Sequence, residues 1–123
     1  MDQKYLIAGA FFLVIIASGL WLSHIGKPYH ILILTAHKLI SLAGGVYLAV
    51  TMFRVNQVSP LGPAAIAAGA VTLILFIAML ATGGILSAAK TVPAAVHKIH
   101  QFAPYLAILS TAAALYFVQL HRQ

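Results

Sequence analysis

Residues 64–83 of the chain read AAIAAGAVTLILFIAMLATG, a run of twenty residues without a charged side chain. A helix of about 20 apolar residues is long enough to cross the hydrocarbon core of a bilayer, which is about 30 Å thick. This run therefore predicts a transmembrane helix. We place its start near Pro63, since proline is favoured in the first turn, and its end at the glycine pair Gly83-Gly84.

Three further predominantly apolar runs occupy most of the remaining chain. We predict additional membrane spans over residues 5–22, 31–53 and 94–120. Thr91, shortly before the last of these, is the expected N-cap. Ala17-Ser18-Gly19 resembles a signal-peptide cleavage site, but the apolar run around it is longer than a signal peptide requires, so we expect the first span to be retained. The sequence predicts an all-α membrane protein, a four-helix up-down bundle.

The composition supports a bilayer environment for the whole chain. Hydrophobic residues make up 63% of it and charged residues only 7%, whereas a soluble domain has about 25% charged residues. The seven Lys and Arg residues are scattered and form no basic stripe with interleaved aromatic residues, which argues against nucleic-acid binding. The absence of cysteine excludes disulfides, thiolate metal sites and covalently attached c-type haem.

Shifting the sequence by 60 residues aligns its two halves without a gap. His37-Lys38 then coincides with His97-Lys98, and the tripeptide at residues 8–10 coincides with the identical one at residues 68–70. A matched His-Lys pair is informative because lipid tolerates these residues poorly. We therefore expect a single four-helix domain, residues 1–123, built from two tandem hairpins, 1–60 and 61–120. A pseudo-twofold axis along the membrane normal would make His37 and His97 face each other.

The deep histidines are the candidate functional residues. His37 lies seven residues into the second predicted span, roughly 10 Å along the helix axis. An ionisable residue at such depth usually marks a functional site, although an interhelical hydrogen bond is the alternative. A pair of facing imidazoles would suit the two axial positions of a haem iron. We predict His37 and His97 as the metal ligands, with His100 as the reserve for His97.

Other residues near the two predicted ligands would complete a haem site. Gly44, two turns beyond His37, would leave room for the macrocycle, although it equally permits close helix packing. Lys38 and Lys98 have stems long enough to reach the membrane interface, where they would meet either the haem propionates or lipid phosphates.

On this architecture and these two histidines, the chain resembles the four-helix membrane cytochromes b, of the cytochrome b-561 type and the related bacterial cytochrome b subunits. The resemblance implies a non-covalent haem b in a bacterial or archaeal cell membrane. It also implies electron exchange with a quinol, a small reductant or a partner redox protein. Two-haem members have ligand pairs at both ends of the bundle, whereas His121 is the only histidine at the far end here. We therefore expect one haem.

Two other function classes remain open. The first is a transition-metal binding or transport protein that uses the histidines at one end of the chain's predicted bundle: His24, His30, His37, His97 and His100. The second is a cofactor-free membrane anchor or assembly subunit, and a homo-oligomer is compatible with every one of these hypotheses. Ordinary enzymatic catalysis lacks a nucleophile–base pair or a carboxylate dyad, so any oxidoreductase role would be that of an electron-transfer component.

The positive charges give a weak indication of topology. The end that carries both chain termini and the middle loop has Lys4, Arg54 and Arg122, and the opposite loops have Lys27 and Lys90. If the two lysines beside the predicted ligands serve a cofactor and are not counted, the positive-inside rule places both termini in the cytoplasm.

Overall fold

Four long helices make up nearly the whole of the computed structural model, which describes the backbone of residues 3–122 and the side chains of residues 3–120. The helices are α1 (Gln3–Ile25), α2 (Ile31–Val58), α3 (Pro63–Ala88) and α4 (Ala94–Arg122). Each is long and apolar enough to cross a membrane. Within residues 3–122 there is no strand. The predicted all-α, four-span membrane fold and the multi-pass membrane location are confirmed. Asp2 and the side chains of His121 and Arg122 lie outside the described part.

Many large apolar side chains are exposed on the surface of the helices. Leu13 is 72% exposed, Ile74 65% and Leu109 67%. A soluble monomer rarely presents apolar side chains in such density, because contiguous apolar patches drive association in water. These side chains are suited to contact with lipid acyl chains.

Helix α1 ends at Ile25 and is followed by Gly26, whose φ of +74° lies in the left-handed region that favours glycine. Its N–H donates to the Leu22 carbonyl at 3.0 Å, which closes the last turn. Helix α3 begins at Pro63, as predicted, with Gly62 as its N-cap. The helices extend beyond the predicted spans, α2 to Val58 for example. Hydropathy marks only the apolar part of a helix, and its backbone hydrogen bonds continue into the interface.

The predicted N-cap of the last helix is wrong. Helix α4 begins at Ala94, and the carbonyl of Pro93 accepts hydrogen bonds from the N–H groups of Val96 at 3.1 Å and His97 at 3.3 Å. Thr91 lies in the preceding bend, two residues before Pro93. The intervening proline starts the helix because its fixed φ is already helical and its missing N–H is not needed there.

The chain divides into two compact units, residues 1–48 and 49–123, with the division inside α2. In the N-terminal unit, α1 packs against the first part of α2. The rings of Phe11 and Tyr47 lie 5.6 Å apart between their centroids. The buried residues of α1 are spaced seven apart, as Ala8, Ile15 and Leu22, so they form one stripe along the helix.

In the C-terminal unit, α3 and α4 run antiparallel and pack through small residues. Ala65 on α3 is 1% exposed and Ala107 on α4 is completely buried. Thr72 Oγ1 donates to Ser110 Oγ at 2.7 Å between them. Small side chains and hydroxyl contacts are the usual means of helix association in lipid, where the hydrophobic effect provides no attraction between helices. At one end, a cluster forms around Val55, Ala65 and Val118.

Candidate functional site

In the N-terminal unit, His37 packs against the end of α1 that leads into the first connecting loop. Its ring is half-buried, and its Nδ1 atom lies 2.8 Å from Ser18 Oγ. The neighbouring Gly19 makes this approach possible, because a Cβ added there would lie 3.1 Å from His37 Cε1. One side of the imidazole is therefore held by a hydroxyl and rests on the bare backbone of a glycine.

The C-terminal unit repeats this arrangement with different residues. His100 on α4 is also half-buried, and its Nδ1 atom lies 2.9 Å from Thr82 Oγ1 on α3. A Cβ added to Gly83 would lie 2.9 Å from His100 Cε1. We call the two dipeptides Ser18-Gly19 and Thr82-Gly83 the hydroxyl–glycine seats. Each seat holds one histidine of the following helix.

The contacts give a different internal register from the 60-residue shift. The two seats are 64 residues apart, and His37 and His100 are 63 apart. By these contacts, the equivalent of His37 is His100, whereas His97 is exposed on α4. The identity of the second metal ligand stays a prediction, and the shared environment favours His100.

The four seat residues were not among the candidates taken from the sequence, although a signal for them is present. Residues 17–23 read ASGLWLS and residues 81–87 read ATGGILS, with four identities and a Ser/Thr exchange in seven positions. A shift of 60 residues does not align these two segments with each other. A single ungapped shift also cannot align both seats and both histidines, because the second hairpin is one residue shorter between them.

Gly44 and the two candidate propionate ligands lie in different surroundings. A Cβ on Gly44 would lie 3.2 Å from Ile15 Cδ1 and 3.4 Å from Phe11 Cδ1, so α1 covers this glycine. These are the contacts expected for the close-packing alternative. Lys38 and Lys98 are both exposed. In the register that pairs His37 with His100, Lys38 is not equivalent to Lys98.

The histidines beside the α1–α2 connection, His24 in the last turn of α1 and His30 in the loop, belong to neither seat. His24 and His30 are exposed, and the Nζ atom of Lys27 lies 5.8 Å from the centroid of the Tyr29 ring. Among the residues that the structure describes, no three His, Cys, Asp or Glu side chains gather into a group that would hold a metal ion. A haem with two axial ligands needs only two such side chains.

Comparisons with protein-family models, with curated protein sequences and with solved structures find no match to this chain.

Proposed function

We propose that this chain is a membrane-bound b-type haem protein that holds one non-covalent haem with two histidines. In this role, it exchanges electrons with a quinol, a small reductant or a partner redox protein. The observation that supports the proposal is the recurrence of the hydroxyl–glycine seat, because each hairpin holds one half-buried histidine in the same manner. A b-type haem with bis-histidine ligation needs two such side chains.

The chemistry of the two histidines fits such a ligand set better than a structural role. A hydrogen bond between neighbouring helices can be made by Ser or Thr alone, as Thr72 and Ser110 make it in the C-terminal unit. A histidine in a membrane span is costly and usually serves a function. When bound, a bis-imidazole haem supplies reversible one-electron chemistry.

We assign His37 and His100 as the axial ligands, and His97 is the alternative that the 60-residue register favours. Lys38 and Lys98 remain the proposed partners of the propionates, since both are exposed cations within reach of the interface. Each assigned histidine lies near the loop end of its own hairpin, about two helical turns from the connection. Electron exchange is therefore proposed at the membrane face where the α1–α2 and α3–α4 loops lie.

The proposal also includes a location and an orientation. The chain would lie in a bacterial or archaeal cell membrane, with both ends of the described chain on the cytoplasmic side. The loops that follow α1 and α3, and the two seated histidines near them, would then face outward.

Optical spectra of the purified protein test the proposal. We expect a Soret band with the sharp reduced bands of low-spin, six-coordinate haem. Replacing His37 or His100 by Ala should abolish the low-spin spectrum, because one axial ligand is lost. His97→Ala is the matched control on the same helix and should keep it. If His97→Ala lost the low-spin spectrum and His100→Ala kept it, His97 would be the second ligand, as the 60-residue shift predicts.

The same preparation separates the other function classes. A chain purified from haem-replete cells with no Soret band would overturn the haem proposal. Stoichiometric Zn, Cu or Ni in that chain would indicate the metal-binding alternative. Absence of both haem and metal would leave the anchor or assembly subunit.

A further inference from the structure

The two hydroxyls that contact the histidines also contact their own helix. Ser18 Oγ lies 2.7 Å from the Val14 carbonyl and 3.0 Å from the Ile15 carbonyl. Carbonyl oxygens only accept hydrogen bonds, so a separation of 2.7 Å requires the hydroxyl hydrogen between the two oxygens. A serine hydroxyl has one hydrogen, and here the helix backbone takes it.

Thr82 uses its hydroxyl hydrogen in the same way. Its Oγ1 atom lies 2.7 Å from the Ala78 carbonyl and 3.3 Å from the Met79 carbonyl. In both seats, the hydroxyl oxygen therefore presents only lone pairs to the histidine. Since the oxygen lies within hydrogen-bond distance of Nδ1, this nitrogen must be the donor.

A neutral imidazole has one N–H and one lone pair. If Nδ1 carries the hydrogen, then the lone pair of the ring belongs to Nε2. The opposite tautomer would need the hydroxyl to donate to Nδ1, and this would leave two oxygens 2.7 Å apart without a hydrogen between them. The glycine sets the position of the ring and not its tautomer, because it lies against Cε1, the carbon between the two nitrogens.

From these contacts, we propose that Ser18 and Thr82 are positioning residues that hold His37 and His100 in the Nδ1–H tautomer, so that Nε2 is the metal-binding atom in both hairpins. The metal-binding part rests on the proposed haem function. Histidine ligands usually donate the second ring N–H to a neighbouring group, which fixes the tautomer and the ring orientation. Here a neutral hydroxyl accepts that hydrogen, so the ligand stays an imidazole rather than gaining imidazolate character.

The tautomer is measured directly by ¹⁵N NMR of histidine nitrogens. The 123-residue chain is prepared without haem in detergent micelles, at alkaline pH, and His37→Gln and His100→Gln spectra assign the signals. We expect the hydrogen on Nδ1 in both rings. Ser18→Ala should shift the tautomer ratio of His37 toward Nε2–H by roughly fivefold, the effect of losing one hydrogen bond of typical strength. Thr82→Val should do the same for His100.

Three variants serve as controls. Ser41 Oγ donates at 2.6 Å to the His37 backbone carbonyl and not to its ring, so Ser41→Ala should leave the tautomer unchanged. Ser18→Thr and Thr82→Ser exchange the hydroxyls of the two seats and should keep the Nδ1–H tautomer. Nε2–H signals in the parent, or unchanged tautomers in Ser18→Ala and Thr82→Val, would overturn the proposal.

A second measurement uses the haem-loaded chain. Ser18→Ala and Thr82→Val should change the anisotropy of the low-spin ferric EPR spectrum, since each removes a hydrogen bond that orients a ring, and Ser41→Ala should not. An identical spectrum in all variants would count against the positioning role. Nδ1–H tautomers in a chain that never takes up haem would contradict the proposed function but leave the role of the two hydroxyls intact.

Discussion

At the residue scale, the seated histidines depend on a glycine that has no room for a side chain. A Cβ at Gly83 would lie 2.9 Å from His100 Cε1, which is closer than such atoms approach in proteins. The neighbouring Gly84 has no atom within 4 Å of the same position. Of these two adjacent glycines on α3, only Gly84 therefore has room for a Cβ. Because Cε1 is at the far end of the histidine side chain, we expect the ring to yield rather than the helix.

Replacing Gly83 by Ala should displace the His100 ring while α3 and α4 stay folded. Overpacking of this kind costs about 1–3 kcal/mol, most of which the ring relieves by turning away from its seat. We expect the Nδ1–H signal of His100 to be lost in ¹⁵N NMR, and a low-spin haem spectrum to be lost with it. Gly84→Ala is the matched control and should change neither signal. Equal effects of the two substitutions would show that the seat does not hold the ring.

At the scale of the helices, hydropathy predicted the four spans because lipid requires about 20 apolar residues in a row. The start of α3 was predicted near Pro63, and the helix begins there. The register between the two hairpins was not, because it is determined by a hydroxyl and a glycine that meet a histidine across two helices. A shift of 60 residues aligned His37 with His97 and could not detect that contact. The match between ASGLWLS and ATGGILS carried the information in the sequence.

The packing of α3 on α4 should be sensitive to the size of one alanine. Ala107 is completely buried, so leucine there would force the two helices apart at a cost of about 1–3 kcal/mol or more. Ala112 is an exposed alanine on the same helix. Ala112→Leu should therefore stay within about 0.5 kcal/mol of the parent, as surface substitutions usually do. Thermal unfolding of both variants in detergent, followed by circular dichroism, measures the difference. Equal stability of the Ala107→Leu and Ala112→Leu variants would contradict the small-residue packing.

At the scale of the whole molecule, the orientation in the membrane depends on a few positive charges. In the sequence, Lys4, Arg54 and Arg122 belong to one end of the spans, and Lys27 and Lys90 to the other, a difference of one charge. Lys38 is exposed on α2, beyond the α1–α2 loop, and Lys98 is exposed on α4, beyond the α3–α4 loop. The positive-inside rule therefore gives opposite answers depending on whether these two lysines count. Orientation and cofactor assignment are thus linked.

Single cysteines can determine the orientation, because the natural chain contains none. Gln57, near the α2–α3 connection, and Thr91, in the α3–α4 loop, are exposed and lie at opposite ends of α3. With Lys38 and Lys98 paired to propionates, we expect Thr91→Cys to react with a membrane-impermeant maleimide in intact cells. Gln57→Cys should react only after lysis. Labelling of both variants in lysed cells is the control that both thiols are accessible. The reverse pattern would mean that the two lysines act as cytoplasmic anchoring charges in contact with lipid phosphates, and the propionate assignment would then be wrong.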